Sequence, residues 1–513
     1  MSLLRTIAWL LGGVAALALA ACGSHDDPHP GWVEFDPAHV DVPPVPQEFR
    51  GLWVATVANI DWPSRRDLDA ASQRQEAIRI LDLCRDLHLN AVVLQVRPAA
   101  DALYASPSEP WSEYLVGREG AASSYDPLRF WIDEAHARAI DLHVWINPFR
   151  ARHRSARSNP APNHVSSRRP ELVVRYGEEL WLDPGMAESR ELSLAVIEDL
   201  VRRYDLDGVH LDDYFYPYPI TGLEFPDEAS YAAYRGGGGT MARNDWRRRN
   251  IDGFVRSMYE RVKAIDPQVL VGISPFGIWR PGHPEGVVGL DTYEALHADS
   301  RLWLRAGWLD YASPQLYWSR DSKGQPFAKL LDWWVGENVR DRHLWPGLYL
   351  TRVEEAGGWP PEEIEGQIEE VRTHPVADGV VLFSAVGLLE NRQGMRELLS
   401  DRLFATPALV PASPWLFDGA PPRPKARLVE AAGMLRLELP EGDPPARWLV
   451  QRRTGGGWLT TILPGDAREH AWPLGVEDAA ADVVSIRAVS RVGEQSAPLV
   501  LRRRDPLPLR PLR

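Results

Sequence analysis

Between Phe49 and about residue 405, short apolar runs alternate with helical patterns, and this alternation constrains the fold more than any other feature. The runs lie at 51–57, 91–96, 142–146, 208–211, 269–273, 309–316, 346–350 and 379–383. Between them, Leu128, Trp131, Ile132, Ala135 and Ala139 keep helical spacing, as do Ile251, Phe254, Val255, Met258, Val262 and Ile265. Strands separated by helices form parallel sheets, and eight such units predict an α/β fold closed as a (β/α)8 TIM barrel over 47–405. An open doubly wound sheet is the runner-up. No Gly-rich phosphate fingerprint opens a helix after the first run, which weakens it.

Past the barrel, Pro407, Pro411, Pro414, Pro421, Pro422 and Pro424 mark a linker at 406–425. The pattern then changes to strands without helices at 435–439, 448–452, 458–462 and 483–489. A small all-β sandwich over 426–505 is expected. The segment Val484-Ser485-Ile486-Arg487-Ala488-Val489-Ser490, followed by Gly493-Glu494 and Ala497-Pro498, resembles the last strands of a fibronectin type III domain. A Pro- and Arg-rich tail, 506–513, ends the chain.

The start of the chain carries an address. Arg5 precedes an apolar stretch, 7–20, and Leu19-Ala20-Ala21-Cys22 resembles a bacterial lipobox. Residues 1–21 then read as a lipoprotein signal, with an uncleaved anchor as the alternative. Acylation of Cys22 tethers the protein to a membrane by lipid. Gly23 follows the cysteine, with no Asp there to direct inner-membrane retention, so the periplasmic face of the outer membrane is expected. Residues 22–46, with Pro43, Pro44 and Pro46, read as a tether. Two cysteines cannot form a disulfide scaffold, and Cys84 sits in a helical pattern as a small buried hydrophobe.

Chemistry in such a barrel belongs at the C-terminal ends of its strands. The second run ends Gln95-Val96-Arg97-Pro98, the third Trp145-Ile146-Asn147-Pro148, the fourth His210-Leu211-Asp212-Asp213-Tyr214, and the sixth Gln315-Leu316-Tyr317-Trp318. Strand alternation turns Val209 and Leu211 to the helices and His210 and Asp212 inward. It groups Gln95 with Arg97, His143 and Trp145 with Asn147, and Gln315 with Tyr317. The expected mouth contains Arg97, Asn147, Asp212, Gln315 and Tyr317. All of these but Gln315 have a structural alternative. Asp212 could be a buried partner of Arg97, and Asp213 a cap of the next loop. His210 could be an interior histidine, Asn147 and Arg97 turn anchors, and Tyr317 and Trp318 core.

Charge and composition narrow the ligand. Lys+Arg 57 against Asp+Glu 71 gives −14, with no basic surplus for a dedicated nucleic-acid binder. The chain has 21 Trp, more than its 15 Tyr or 12 Phe. Trp53, Trp62, Trp111, Trp145, Trp279 and Trp318 fall at or just after strand ends, while Trp131 and Trp246 read as packing. Sugar rings lay apolar C–H faces on such planes while their hydroxyls need convergent polar groups. No metal-ligand spacing, no G-x-S-x-G elbow and no P-loop is present; Gly236–Gly239 lacks the Lys-Ser/Thr that would make it one. No metal and no cofactor is expected.

At these residues the chain resembles the glycosyl hydrolase-like family 10, formerly domain of unknown function 187. The resemblance rests on Phe49-Arg50-Gly51-Leu52-Trp53-Val54-Ala55-Thr56, Asn59-Ile60-Asp61-Trp62-Pro63, the strand ends quoted above, Asp101-Ala102-Leu103-Tyr104, Ile273-Ser274-Pro275-Phe276-Gly277-Ile278-Trp279-Arg280 and Asp310-Tyr311-Ala312-Ser313-Pro314. It covers roughly 47–405 in order. It implies a TIM-barrel glycosidase of the bacterial envelope, similar in one branch to enzymes that cleave peptidoglycan strands stripped of stem peptides. A weaker resemblance links Asp207, Gly208 and Asp212 to the D-G-x-D-x-D-x-E of chitinase-like hydrolases. Here His210 replaces one Asp, and Tyr214 stands where the acid Glu would be.

These resemblances imply hydrolysis of an amino-sugar polymer by Asp212 as central carboxylate, with Tyr317 orienting a 2-acetamido group or the carboxylate. Arg97, Asn147 and Gln315 would bind hydroxyls, with Trp53, Trp145, Trp279, Trp318, Asp101 and His210 as further binding residues. The second carboxyl is open among Asp213, Asp101, Asp61 and Asp183. A glycan-binding protein with an inactive barrel and a deacetylase or amidase are the competing classes.

Overall fold

The computed structural model describes residues 31–354, 357–417, 419–440, 443–474 and 481–504. Cys22, the signal segment and the 506–513 tail lie outside them. No described helix is long and apolar enough to cross a membrane.

Eight strands form the barrel: β1 Phe49–Val54, β2 Ala91–Arg97, β3 Asp141–Ile146, β4 Gly208–Leu211, β5 Leu270–Ile273, β6 Tyr311–Ala312, β7 in two pieces His343–Leu344 and Gly347–Leu348, and β8 Gly379–Leu382. All pair in parallel in chain order, and β8 returns to β1. The sheet closes because β7 pairs with β6 through its first piece and with β8 through its second. Helices connect the strands, among them Ala70–Asp86 capped by Asp69 and Pro127–His136 capped by Asp126.

Period-two alternation makes two cores. Leu52, Val92, Val144, Val209, Leu211 and Val380 face the helices in one. Phe49, Trp53, Val93, Trp145, Tyr311, Trp345 and Val381 fill the lumen in the other. Large rings occupy the lumen beside residues that have no side chain. A Cβ on Gly208 would overlap the His143 ring, and one on Gly272 the Tyr311 ring.

The C-terminal region is all-β. Strands β9 Arg427–Ala431, β10 Met434–Glu438 and β13 Glu469–Pro473 form one antiparallel sheet. Strands β11 Arg447–Thr454, β12 Gly457–Pro464, β14 Val483–Val489 and β15 Leu499–Arg503 form the other. Leu428, Leu437, Trp448, Val450, Trp472, Ile486 and Leu501 share the core between them.

Two expectations change. The stretch read as a tether contains a strand, Trp32–Glu34, antiparallel to β15, and Trp32 is buried in the sandwich core. The open edge of β15 supplies unpaired backbone groups and the Trp supplies apolar area to bury. Gln451 Nε2 donates to the Pro43 carbonyl at 2.8 Å, so the part before Pro46 also packs. The Pro-rich linker is docked too. The Leu409 N–H donates to Pro46 O at 2.9 Å, and Trp415 Nε1 to Asp310 at 2.9 Å. The sandwich meets the N-terminal end of the barrel through Arg447–Asp141 and Arg491–Asp266.

Candidate active site

The fourth strand ends in two adjacent buried carboxyls at the barrel's C-terminal opening. Asp212 continues the inward face of β4, and Asp213 follows where the strand ends. Trp145 Nε1 donates to Asp212 Oδ2 at 3.0 Å and Asn147 Nδ2 to the same oxygen at 2.5 Å. The Tyr214 N–H donates to Oδ1 at 3.1 Å. Asp213 accepts from the Tyr218 hydroxyl, with the Gln315 carboxamide beside it.

A relay orients Asn147. The Thr56 and Val57 N–H groups donate to Gln95 Oε1 at 3.0 and 2.9 Å. Gln95 Nε2 then donates to Asn147 Oδ1 at 2.7 Å, which leaves the Asn147 amide nitrogen for Asp212. Both ends of the chain are thereby assigned by groups that cannot flip.

Electrostatics separates the two acids. Burial raises Asp212 above its ordinary range, while Arg150 and its three donors pull it back. Burial and the neighbouring Asp212 charge push Asp213 up to about 7. The two acids titrate as a pair, and at neutral pH Asp213 is poised between its protonated and ionised forms while Asp212 keeps its three donors.

Half-buried rings surround the pair. Tyr214 and Tyr218 meet at 5.4 Å between centroids, Tyr218 and Phe276 at 6.3 Å, and Phe276 and Trp318 at 5.3 Å. On the other side Tyr317 lies 4.9 Å from Tyr349 and 5.9 Å from Phe383. Burial and the two Asp charges hold the Tyr317 phenol well above its usual range. Trp53 forms the floor, edge-on to Trp145 at 4.6 Å and to His210 at 4.8 Å.

Several expected mouth residues sit elsewhere. A register break between Gln95 and Arg97 in β2 undoes their shared face. The Arg97 guanidinium pairs with Glu109 and donates to the Asn147 and Pro148 carbonyls at 2.7 and 3.1 Å, so it anchors the third loop. Trp279 donates to Asp299 at 3.1 Å and packs on Tyr293 and Trp333. Asp101 accepts from the Ala99 N–H at 2.8 Å, beside Ser112, Glu119 and His164. Asp61 joins the β1 and β8 loops through the Ala55 and Val386 N–H groups and the Ser384 hydroxyl. Asp183 accepts from Gly185 and Ser230. His210 shares the Tyr311 hydroxyl with His143 inside the lumen. Gln315 reaches Ser274 O at 3.0 Å at the rim. Arg150 is the main addition. It follows Pro148 in a loop where alternation has no hold, and it lies 4.3 Å over the Tyr214 ring. Among the described residues no group of three or more His, Cys, Asp or Glu could hold a metal ion.

Residues 48–360 match the model of the family described as glycosyl hydrolase-like 10. This chain belongs to that family. A relative from Bacillus subtilis (strain 168), "Glycosyl hydrolase YngK", is 40% identical over 390 residues, covering 74% of this chain and 76% of the relative. "Glycosyl hydrolase DigH" of Escherichia coli (strain K12) is 31% identical over 427 residues, covering 74% and 96%. The glycoside hydrolase domain of PgaB (BpsB) from Bordetella bronchiseptica aligns with a TM-score of 0.49 at 14% identity, covering 69% and 98%. Membership of the glycosyl hydrolase-like 10 family and relatives with these names support a glycosidase-type function on a polysaccharide.

Proposed function

We propose that this protein hydrolyses O-glycosyl bonds of a bacterial envelope glycan, above all peptidoglycan strands free of stem peptides. The observation that carries the reading is the buried Asp212–Asp213 pair, one acid raised to about 7 and the other held by donors, inside a ring of aromatic side chains. Asp213 gives its proton to the glycosidic oxygen as the bond to the anomeric carbon breaks. Asp212 is the carboxylate that stabilises or attacks the oxocarbenium-like centre, and water completes the hydrolysis. Tyr317 orients a 2-acetamido group, and Gln315 and Trp318 hold the sugar at the rim. Asn147, with both amide ends engaged, positions Asp212 rather than binding hydroxyls.

Lipid on Cys22, placement on the periplasmic face of the outer membrane, and a fibronectin type III-like character of the sandwich belong to the same proposal. The order β9-β10-β13 against β12-β11-β14-β15 supports the last.

Purified peptide-free glycan strands test the reaction. New reducing ends are the expected product. Pull-down of strands without new ends makes the barrel a binder, and release of acetate or peptide at unchanged chain length makes it a deacetylase or amidase.

A further inference from the structure

The segment between β3 and β4 breaks the charge pattern of the chain. The molecule carries −14 overall, yet residues 150–182 hold seven Arg against three acids, Glu171, Glu178 and Glu179. This segment forms a small sheet, Arg150–Arg152, Val173–Tyr176 and Glu179–Leu182, at the barrel's C-terminal opening. Most of the acids around it are engaged, Glu179 by the Arg154 N–H and by His153 at 3.5 Å. Glu113 accepts from the Arg157 and Ser158 N–H groups and pairs with Arg66. Glu119 accepts from the Ala161 N–H and pairs with Arg152. Glu171 pairs with Arg169. Arg154, Arg157, Arg168 and Arg175 remain exposed, with no side-chain ion pair among the described residues.

Arg150 is the inner end of this series. It is 4% exposed, and its buried Nε has no hydrogen-bond partner among the described residues. The nearest acid oxygen, on Glu179, is 3.8 Å away. A buried guanidinium donor without a partner is costly unless a ligand completes it. Burial, and after it the Arg150 and Arg154 charges, press the neighbouring His153 down to about 4. A planar fork of donors over the Tyr214 ring suits a carboxylate.

We infer that the β3–β4 segment is a binding surface for a glycan bearing free carboxylates, with Arg150 taking the carboxylate of the sugar next to Asp212. The four exposed arginines hold the flanking sugars through charge. The inference rests on the glycosidase reading for its ligand, and it goes further in assigning the part of the site that selects acidic sugars.

The test uses the full-length protein and sedimentation with insoluble peptide-free peptidoglycan strands, native or with their carboxyls chemically reduced. The wild type is expected to bind native strands about tenfold more tightly, with a preference that shrinks as salt rises. Replacing Arg154, Arg157, Arg168 and Arg175 together by Ser should remove most of the salt dependence without changing the melting temperature. Arg150→Gln should remove the remaining preference for native strands, and Arg150→Lys should retain part of it. Equal binding of native and reduced strands by the wild type overturns the inference. Pelleting with phosphatidylglycerol vesicles that the Ser variant loses, while its glycan binding is intact, overturns it in favour of a lipid-facing surface. The two readings fail separately. Cleavage of native and reduced strands at equal rates sinks this inference alone, whereas carboxylate-dependent binding without any cleavage sinks the glycosidase reading alone.

Discussion

Both ends of β4 carry an acid largely shielded from solvent, and the two behave in opposite ways. Asp207, just before the strand, accepts from His136 at 2.8 Å and from the Leu142 N–H at 2.8 Å, with Arg491 nearby. Those partners outweigh its burial and hold it below the usual carboxylate range. Asp212, just after the strand, is more deeply buried and shares its surroundings with a second carboxyl, and its pKa rises. The same rule repeats around the barrel. At the N-terminal end Asp310 has Lys263 and Asp141 has Arg447. At the C-terminal end Asp212 has the Arg150 charge nearby but also the neighbouring carboxyl of Asp213. Burial does not distinguish a structural acid from a chemical one; the partner does. One end of the barrel is a neutralised joint with the sandwich, and the other holds two carboxyls that raise one another.

The largest expected effect is on activity. Asp213→Asn removes the proton donor and should lower glycan cleavage by about 10²–10⁴-fold, measured as reducing ends at saturating substrate. The wild-type pH profile should fall on its alkaline side near the pKa of about 7 held by Asp213. Its acid limb should reflect Asp212, raised above 3.8.

Stability should move in opposite directions at the two ends. A raised carboxyl contributes stability that is complete below its unfolded pKa and lost as pH rises through its folded value. Asp213→Asn should therefore melt above the wild type at pH 7, and the gain should vanish near pH 4. Asp207 is lowered, so its contribution is present above the unfolded value and lost as pH falls through the folded one. Asp207→Asn should melt below the wild type at pH 7, by about 3 kcal/mol of stability at most, the low end for a broken buried pair. Equal shifts of the same sign would break the contrast. The smallest expected effect is at Gln95. Gln95→Ala frees the Asn147 amide to rotate and should lower kcat about tenfold with little change in KM.

Much of this contrast is readable from sequence, for a local reason. Period-two alternation is geometric, so it holds along β4 and places His210 and Asp212 inward without knowledge of the rest. It fails where the strand ceases to be regular. The break in β2 turns Arg97 away from the mouth although its spacing from Gln95 is that of a shared face. Trp279 stands near a strand end in sequence, but the loop folds it back onto Trp333. Arg150 lies in an insertion whose sheet pairs Arg150 with Trp181, a contact that no local pattern encodes. The strand Trp32–Glu34 escaped the same way, because its partner β15 lies at the far end of the chain.

Asp212→Asn and Asp207→Asn, assayed side by side on peptide-free glycan strands and by thermal melting, test the central claim most directly. The account predicts that Asp212→Asn loses reducing-end release while its melting temperature is unchanged or higher, and that Asp207→Asn keeps release while melting lower. Wild-type release by Asp212→Asn would contradict it.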